Sequence, residues 1–262
     1  MSSRPSLKAH GLKRLSDADA SLLMSRFSEI EVKEVVYGCG DDKAPGPDGF
    51  NFKFIKKFWS ILSADFMNIM NDFYETGFIS RGVGSSFITL IPKNSAPSRL
   101  GDYRPITLIG VTSKVISKVL ANRLKKSDML RQLGFPSRWC QWVEGILVSA
   151  RSSVLVNGAP TFEFDCKKGI RQGDPLSPFL FVIVMEALSS LFKKASDIGV
   201  FDGMRLPNGG PEVNHFLYVD DAMVLGKWTN FNFNNLKRIL RIFIYVRAFV
   251  LISINLHYTV WG

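Results

Sequence analysis

Apolar positions recur with a helical period over three stretches in the first half of the chain. Residues 16–37 and 51–78 carry approximate apolar stripes, so we predict a helix over each, the first capped by Ser16. Residues 112–126 place lysines opposite their aliphatic side chains, which predicts a helix with one buried face and one basic face. The N-terminal part of the chain is therefore expected to be mainly helical.

Short runs rich in β-branched and aromatic residues predict strands in the rest of the chain. Asn157-Gly158 favours a tight hairpin turn, and a second hairpin is predicted with Asp220 and Asp221 at its tip. Ser177 and Pro178 suit the start of a strongly apolar helix over residues 178–195. The predicted strands are residues 86–92, 152–157, 161–164, 216–219 and 222–225.

The composition permits an ordinary core and adds a basic surface. Apolar residues make up 46% and charged residues 21% of the 262 residues, which is typical of a globular protein. Lys and Arg number 33 against 23 Asp and Glu, a formal charge of +10. Such an excess attracts polyanions, although it does not by itself separate nucleic-acid binding from an ordinary basic surface.

Several protein classes are excluded by what the chain carries. Three cysteines, odd in number and without CxxC spacing, favour reduced thiols over a disulfide framework or a zinc site. The N-terminal residues lack the apolar run of a signal peptide, and Arg241 and Arg247 interrupt the most apolar stretch. We expect an intracellular protein, nuclear or cytoplasmic, with no membrane partner.

The adjacent carboxylates of Asp220 and Asp221 are the sharpest local clue to chemistry. Two acids between apolar strands repel each other and lose hydration, so a cation is expected to compensate them. Mg²⁺ prefers carboxylate and phosphate oxygens and fits this requirement. The alternative is that aspartate simply favours tight turns, and for an isolated pair that alternative is the stronger one.

Six short motifs follow one another along the chain. They are KAPGPDG at 43–49, IPK at 91–93, DYRPITL at 102–108, SKVLANRL at 117–124, GIRQGDPLSP at 169–178 and YVDD at 218–221. In this order they resemble the motifs of reverse transcriptases encoded by plant non-LTR (LINE-type) retrotransposons. One motif alone is weak, whereas the whole set in the family's order leaves little room for chance.

The resemblance implies a fold and a set of roles. The fold is α+β, a right-hand polymerase with fingers and a partial palm, acting by phosphoryl transfer with two Mg²⁺ ions, or Mn²⁺, on an RNA template, a DNA primer and dNTPs. By resemblance Asp220 is a metal ligand, Asp221 its less direct partner, and Tyr218 lies by the primer end. The implied nucleotide and template residues are Lys93, Arg104, Gln172 and Gly173, and the scaffold residues are Pro45, Gly46, Pro47, Gly49, Ser177 and Pro178.

A third carboxylate that the family carries, on the motif A strand, has no counterpart here. That strand belongs before GIRQGDPLSP, but Lys126 runs directly into Ser127, in a segment (127–135) that resembles the helix following motif A. Several dozen expected residues are absent, and the antiparallel palm sheet would lack this strand. None of the acids in between stands in a matching apolar strand: Asp128, Glu144, Glu163 and Asp165.

The expected organisation follows from these motifs. Residues 1–126 form an N-terminal extension and fingers, 127–230 a partial palm, and 231–262 a truncated connection towards a thumb. We expect a reverse transcriptase domain by descent whose catalysis is defective. The alternatives are a non-catalytic remnant that still binds nucleic acid, a mis-spliced gene model, and more remotely an RNA-directed RNA polymerase, in which glycine usually replaces Val219. The oligomeric state is not determined by the sequence.

Overall fold

The computed structural model describes residues 13–125, 132–133, 135–167, 169–218 and 221–245. The chain divides into a larger unit, Leu15–Met129 with Gly134–Phe179, and a smaller unit, Met1–Arg14 with Leu130–Leu133 and Leu180–Gly262. Helices occur together with a mixed sheet, which confirms the predicted α+β class. The division into fingers, partial palm and thumb connection stays a prediction.

The described elements alternate between helices and short strands. The helices are α1 (Asp17–Met24), α2 (Glu29–Tyr37), α3 (Phe52–Lys57), α4 (Trp59–Thr76), α5 (Arg81–Gly84), α6 (Val111–Lys125), α7 (Ser137–Val148), α8 (Ser177–Asp197) and α9 (Asn230–Tyr245). The strands are β1 (Lys13–Arg14), β2 (Ser85–Pro92), β3 (Tyr103–Ile109), β4 (Gln132–Leu133), β5 (Arg151–Val156), β6 (Ala159–Pro160), β7 (Phe164–Asp165), β8 (Met204–Arg205), β9 (Glu212–Val213), β10 (His215–Tyr218) and β11 (Asp221–Val224).

The first predicted helix is broken in the middle. Ser16 caps α1 as predicted, since its Oγ accepts a hydrogen bond from the Asp19 backbone N–H at 3.1 Å. The prediction of one helix over 16–37 is wrong, because α1 ends at Met24 and Ser28 caps α2 by accepting from the Glu31 N–H at 3.2 Å. A serine hydroxyl that binds the backbone favours a helix end over a helix interior.

The second predicted helix is broken as well. Phe58, with φ −106° and ψ 18°, separates α3 from α4, so the prediction of one helix over 51–78 is wrong. The helix then stops at Gly77, which takes the left-handed conformation with φ 66° that commonly ends a helix. The break at Phe58 thus separates a helix of 6 residues from one of 18 residues.

A mixed sheet lies in the larger unit, with strand order β3-β2-β5-β6 and β7 also paired to β5. Strand β2 runs antiparallel to β3 and parallel to β5. The predicted strands at 86–92 and 152–157 are confirmed, as is the turn at Asn157 and Gly158, both with positive φ. The prediction of a single strand over 161–164 is wrong, because β6 ends at Pro160 and β7 begins at Phe164.

Helix α6 is the most buried helix of the larger unit. Helices α1, α2 and α5 pack against it, and Val115, Val119 and Leu120 are fully buried. The predicted division into a buried and a basic face holds only in part, because Ser113, Ser117 and Arg123 are also buried. The lysines predicted on the basic face are half-buried at 114 and 118 and exposed at 125.

Among the described residues the smaller unit contains most of α8, helix α9, the hairpins β8–β9 and β10–β11, and the strand pair β1–β4. Phe192 of α8 and Phe243 of α9 lie in one core cluster, and Ala222 and Val224 of β11 pack against it. The helix predicted over 178–195 is confirmed as α8. In segment 127–135 the structure describes only 132–133 and 135. Gln132–Leu133 form a strand paired with β1, so the helix implied by the resemblance is wrong at these two residues. None of the helices in the described ranges is long and apolar enough to cross a bilayer.

Candidate active site

The aspartate hairpin forms, and one of its two acids lies within the described residues. The prediction of Asp221 at the tip is wrong, because Asp221 belongs to β11. Strands β10 and β11 pair antiparallel, with Tyr218 opposite Asp221 and His215 opposite Val224. Val219 and Asp220, between these strands, lie outside the described residues. Asp221 is the first residue of β11 and is exposed to solvent. Its carboxylate is therefore free of the core and available as an oxygen ligand.

The two faces of this hairpin differ because successive strand residues point to opposite sides. Ala222 and Val224 pack towards the core of the smaller unit. On the other face Phe216, Tyr218 and Met223 are 53%, 77% and 60% exposed. Among the described residues the hairpin is a two-stranded sheet, so no further strand pairs with either of its edges.

His215 anchors the base of the hairpin. Its ring lies 5.4 Å from the Phe192 ring in a stacked geometry, and its Nε2 is 2.8 Å from the Ser189 hydroxyl. Its Nδ1 is hydrogen bonded to the side chain of Asn214, which in turn donates to the Phe192 carbonyl. Burial lowers the pKa of His215 below its ordinary value, so the neutral imidazole is favoured.

The two basic residues assigned to the triphosphate lie on the β2–β3 hairpin of the larger unit, and both are exposed. Arg104 is in β3 opposite Ile91, and Lys93 directly follows β2. The Lys93 N–H donates to the Asp102 carbonyl at 2.7 Å, and its Nζ donates to the Gly101 carbonyl at 2.9 Å. The hairpin thus brings an ammonium and a guanidinium to neighbouring positions, which suits a phosphate group.

The loop between these two basic residues is held by Asp102. Its carboxylate accepts hydrogen bonds from the backbone N–H groups of Ser98 and Arg99 at 3.0 and 3.1 Å. These bonds hold the pKa of Asp102 below its ordinary value, so the carboxylate stays ionised. The acid that sequence reasoning placed only in a motif therefore has a structural task, which is to shape the loop that precedes Arg104.

The loop that carries Gln172 and Gly173 docks on the same strand as Arg104. The Thr107 N–H donates to the Gln172 carbonyl at 2.9 Å. Gly173 has φ 109°, and a Cβ there would come within 3.0 Å of the Thr107 carbonyl oxygen. Only glycine fits this approach and this conformation easily. The hydrogen bond to Thr107 thus places this loop along β3, and both Gln172 and Gly173 are exposed there.

A buried ion pair that sequence reasoning missed supports this loop. Arg171 donates to Asp174 at 2.9 Å, and both side chains are nearly inaccessible, at 8% and 4%. Asp174 also accepts from the Leu176 N–H at 2.9 Å and lies 3.3 Å from the Ser117 hydroxyl of α6. The signal was the opposite charges three residues apart in GIRQGDPLSP, although spacing alone does not reveal burial. Helix α8 then begins at Ser177, followed by Pro178.

The glycine- and proline-rich loop at residues 43–49 packs against the start of α6. A Cβ on Gly46 would lie 2.4 Å from the Gly110 nitrogen, so this position tolerates only glycine. The Asp48 carboxylate accepts from the Val111 N–H at 2.5 Å, at the first turn of α6. Gly49 takes φ 74°, and its N–H donates to the Gly46 carbonyl at 3.0 Å. This geometry suits the scaffold role given to the loop, which includes Pro45 and Pro47.

The acids considered as substitutes for a missing carboxylate have other surroundings. Arg151 holds both Glu163, at 2.8 Å, and Asp165, at 2.7 Å. Glu163 also accepts from the Ser85 hydroxyl, which is the main reason its pKa lies below the ordinary value. Glu144 is exposed on α7, and Asp128 lies outside the described residues. In the described ranges, which leave out Asp220, no group of three His, Cys, Asp or Glu side chains could hold a metal ion.

The predicted site residues fall into both units. Lys93, Arg104, Gln172 and Gly173 lie together along β3 in the larger unit. Tyr218 and Asp221 face each other across the hairpin of the smaller unit. The structure therefore groups the basic and loop residues with one another, and groups the described acid with the tyrosine.

Comparisons with known proteins bear on this arrangement. Residues 127–245 match the family model for reverse transcriptase (RNA-dependent DNA polymerase). The chain is 45% identical over 68 residues, 26% of its length and 56% of the relative's, to an uncharacterized mitochondrial protein of Arabidopsis thaliana. It is 24% identical over 276 residues, covering 83% of this chain and 21% of the relative, to the Transposon TX1 uncharacterized 149 kDa protein of Xenopus laevis.

A third relative comes from an insect. The Retrovirus-related Pol polyprotein from type-2 retrotransposable element R2DM of Drosophila melanogaster is 24% identical over 222 residues, covering 63% of this chain and 20% of that protein. The chain thus spans between about a fifth and just over half of the length of these relatives. Together the matches show that the chain contains a reverse transcriptase domain related to those of non-LTR retrotransposons.

Proposed function

We propose that this reverse transcriptase domain descends from an RNA-directed DNA polymerase with two-metal nucleotidyl transfer, and that the chain has lost the activity with its motif A strand. Reverse transcriptase domains in general use divalent metal ions and bind a nucleic-acid template and primer. The choice of Mg²⁺, the RNA template, the DNA primer and the dNTPs belong to the proposal. The loss of activity rests above all on the lengths of the alignments.

Each alignment contains more positions than the number of residues of this chain that it covers, which indicates a segment present in the relative and missing here. The frog and fruit-fly alignments extend over 276 and 222 residues, whereas 83% and 63% of 262 residues are about 217 and 165. About 59 and 57 aligned positions thus have no counterpart in this chain. Two distant relatives give nearly the same number, which supports one missing segment of the size expected between Lys126 and Ser127.

The geometry of the hairpin fits a sheet without its neighbouring strand. Among the described residues β10 and β11 pair only with each other, so both edges of this two-stranded sheet are open. Ordinary palm strands would bury apolar side chains and pair their backbone groups with an adjacent strand. The match to the family model begins at residue 127, directly after the proposed junction.

The remaining residues would still perform part of the original task. Lys93 and Arg104 offer two exposed cations to a triphosphate, which would neutralise charge that builds up during phosphoryl transfer. The loop with Gln172 and Gly173, docked on β3 through Thr107, would lie against the incoming nucleotide and template. Tyr218, 77% exposed, would contact the primer end. These groups bind and orient, whereas the ion-binding set lacks one acid.

The loss of the motif A carboxylate would affect the binding of the divalent metal ions. Bound divalent ions would activate the primer oxygen and stabilise the leaving pyrophosphate. Asp221 is exposed and can supply oxygen ligands, but Glu163 and Asp165, the acids that precede GIRQGDPLSP, are held by Arg151. The described acids therefore do not fit the complete ligand set.

A primer-extension assay on an RNA template with Mg²⁺ tests the proposal. The unmodified chain should incorporate no more nucleotide than its Asp220→Ala variant. Insertion of the corresponding segment of the frog relative between Lys126 and Ser127 should restore incorporation, and Asp220→Ala should abolish it in that variant. Incorporation by the unmodified chain that depends on Asp220 would contradict the loss of activity.

A second candidate is a non-catalytic remnant that binds nucleic acid. The formal charge of +10 favours it. Binding to RNA or DNA should weaken steeply with salt, because phosphate contacts release counterions. A filter-binding assay without salt-dependent affinity would remove this candidate. The genomic sequence at the Lys126–Ser127 junction separates a decayed element from a mis-spliced gene model, since an open frame encoding the missing strand would indicate mis-splicing.

A further inference from the structure

Three phenylalanine rings form a partly exposed ladder at the start of α3. The rings of Phe50 and Phe54 lie 4.9 Å apart with an angle of 24°, and those of Phe54 and Phe58 lie 4.8 Å apart with an angle of 48°. Phe54 lies within α3, whereas Phe50 precedes its capping residue Asn51 and Phe58 follows its last residue. Phe50 and Phe54 are 46% and 40% exposed.

These exposed rings are not needed to attach the helix to the core. Phe52 and Ile55, on the other side of α3, are 2% and 4% exposed and supply that contact. Asn51 caps the helix by accepting a hydrogen bond from the Phe54 N–H at 3.0 Å. The helix is therefore fixed by its buried side and by its cap, and the ladder presents aromatic surface that the fold itself does not use.

Lysines flank the ladder. Lys53 and Lys57 are exposed, and Lys57 Nζ lies 5.7 Å from the centre of the Phe58 ring. In the described part of the chain neither lysine has an ion pair, whereas Lys56 is bound to Asp41. We call Phe50, Phe54, Phe58, Lys53 and Lys57 the phenylalanine–lysine patch.

The acids near the patch are held in place by an ion pair and by hydrogen bonds. Asp41 is paired with Lys56, and the Asp48 carboxylate accepts from the backbone N–H groups of Val111 and Phe50. Lys114 of α6 lies at the buried side of α3, with its Nζ 5.9 Å from the Phe52 ring, and it is not part of the patch. The exposed ammonium groups of Lys53 and Lys57, which have no ion pair among the described residues, therefore favour a polyanion over a purely apolar protein surface.

We propose that the phenylalanine–lysine patch binds single-stranded nucleic acid, with bases stacked on the exposed rings and phosphates paired with Lys53 and Lys57. Aromatic rings beside cations are the usual platform for single strands, because every base has a face that can stack. A duplex hides those faces, so a duplex gains only the lysine contacts. The proposal deepens the nucleic-acid binding proposed above and rests on it, and it places one contact on α3.

Protein docking is the competing use of an exposed aromatic surface. The centres of protein interfaces are depleted in lysine, whereas here lysines lie within the ladder itself at positions 53 and 57. Charge and ring spacing together therefore favour the nucleic acid. If the patch docks a protein instead, Phe54→Ala should leave the affinity for single strands unchanged.

Fluorescence anisotropy of the full chain with labelled 12-nucleotide oligo(U) and oligo(dT), and with a duplex of equal length, tests the proposal. Phe54→Ala should weaken single-strand binding about tenfold, as loss of one stacked base does. Phe54→Tyr should retain the affinity, because it retains the ring. Phe162→Ala removes a ring that is 83% exposed in the loop between β6 and β7, and it should leave the affinity unchanged.

The lysines are tested by the dependence on salt. The double variant Lys53→Ala/Lys57→Ala should lower the slope of log affinity against log salt by about 1.4, or about 0.7 for each phosphate contact to a single strand. Circular dichroism spectra that match those of the unmodified chain should accompany each variant, so that a folding defect is recognised.

Two results would overturn the proposal, and they differ in what they leave standing. If Phe54→Ala binds single strands as tightly as the unmodified chain does, the patch is not the site, and the nucleic-acid binding of the domain still stands. That is also the result expected if the patch docks a protein. If the unmodified chain binds no oligonucleotide at any salt concentration, both the patch and the remnant candidate are wrong, while the primer-extension test of the ancestral activity is unaffected.

Discussion

Replacing Arg123 by alanine removes a buried cation that joins α6 to the turn between α1 and α2. Its guanidinium, 2% exposed, donates to the two carboxylate oxygens of Glu31 at 2.8 and 2.7 Å. It also donates to the carbonyls of Leu23 and Ser25, both at 2.8 Å, and lies 4.5 Å from the centre of the Phe27 ring. Arg123→Ala leaves the Glu31 carboxylate, 18% exposed, without this partner.

The geometry gives the expected size of the effect. Loss of one member of a buried, hydrogen-bonded ion pair costs about 3–5 kcal/mol. Glu31 keeps some contact with water, which offsets part of that cost, so we expect Arg123→Ala to lower the free energy of unfolding by about 3–4 kcal/mol. The double variant Arg123→Met/Glu31→Leu removes both charges and should regain at least half of the loss, because no isolated charge is left.

Urea unfolding followed by tryptophan fluorescence measures this change. Trp142 lies 5.5 Å from the Phe27 ring, so its emission reports the region that Arg123 holds together. Arg26→Ala is the matched control, since Arg26 pairs with Glu75 on the surface at 68% and 51% exposure and should change stability by less than about 1 kcal/mol. A loss below 1 kcal/mol for Arg123→Ala would refute the view that this pair holds α6 in place.

Three further predictions concern a close approach, a histidine and a carboxyl group. Gly46→Ala forces a Cβ to within 2.4 Å of the Gly110 nitrogen and should lower the free energy of unfolding by at least about 1–3 kcal/mol in thermal melts. Burial lowers the pKa of His215 below 6.5, so the unfolded chain binds more protons and stability should fall as the pH drops below about 6.5. Ser85→Ala should raise the pKa of Glu163 towards 4.5, as followed by NMR of the carboxyl carbon.

Matched variants separate these effects from general damage. Gly101→Ala meets nothing within 4 Å and should leave the melting temperature unchanged, so an equal loss at both glycines would contradict the close-approach argument. His215→Asn should flatten the pH dependence below 6.5, and an unchanged slope would assign it to other groups. For Glu163, a pKa that stays low in Ser85→Ala would make Arg151, at 2.8 Å, the main cause instead.

Local sequence signals predicted individual elements well where a turn or cap residue marked the boundary. Ser16, Asn157 and Gly158 act as expected, because a capping hydroxyl and a left-handed turn depend on adjacent residues alone. The predictions of single long helices over 16–37 and 51–78 were wrong, because the residues that break these helices give a weaker signal in the sequence. Ser28 caps a new helix and Phe58 interrupts another, although the apolar stripe continues through both.

Residues that depend on distant partners were not predictable in the same way. Arg123 looked like one polar residue of a motif, yet Glu31 and three backbone carbonyls from earlier in the chain enclose it. Arg171 and Asp174 formed part of a recognised motif, but their burial follows from contact with Ser117 and with the Gly84 carbonyl. Sequence spacing carries no information about such long-range enclosure.

The sequence by itself determined the family, the α+β class and the identity of the acids and bases assigned to the site, because ordered motifs and local periodicity are properties of adjacent residues. Tertiary structure decided which of them share a surface. It placed the Gln172 carbonyl against Thr107 and engaged Glu163 and Asp165 with Arg151. It also left Phe50 and Phe54 partly exposed near Lys53 and Lys57, which have no ion pair in the described part of the chain. Those outcomes depend on contacts between segments far apart in the chain, where packing and charge pairing, rather than local propensity, fix the neighbours.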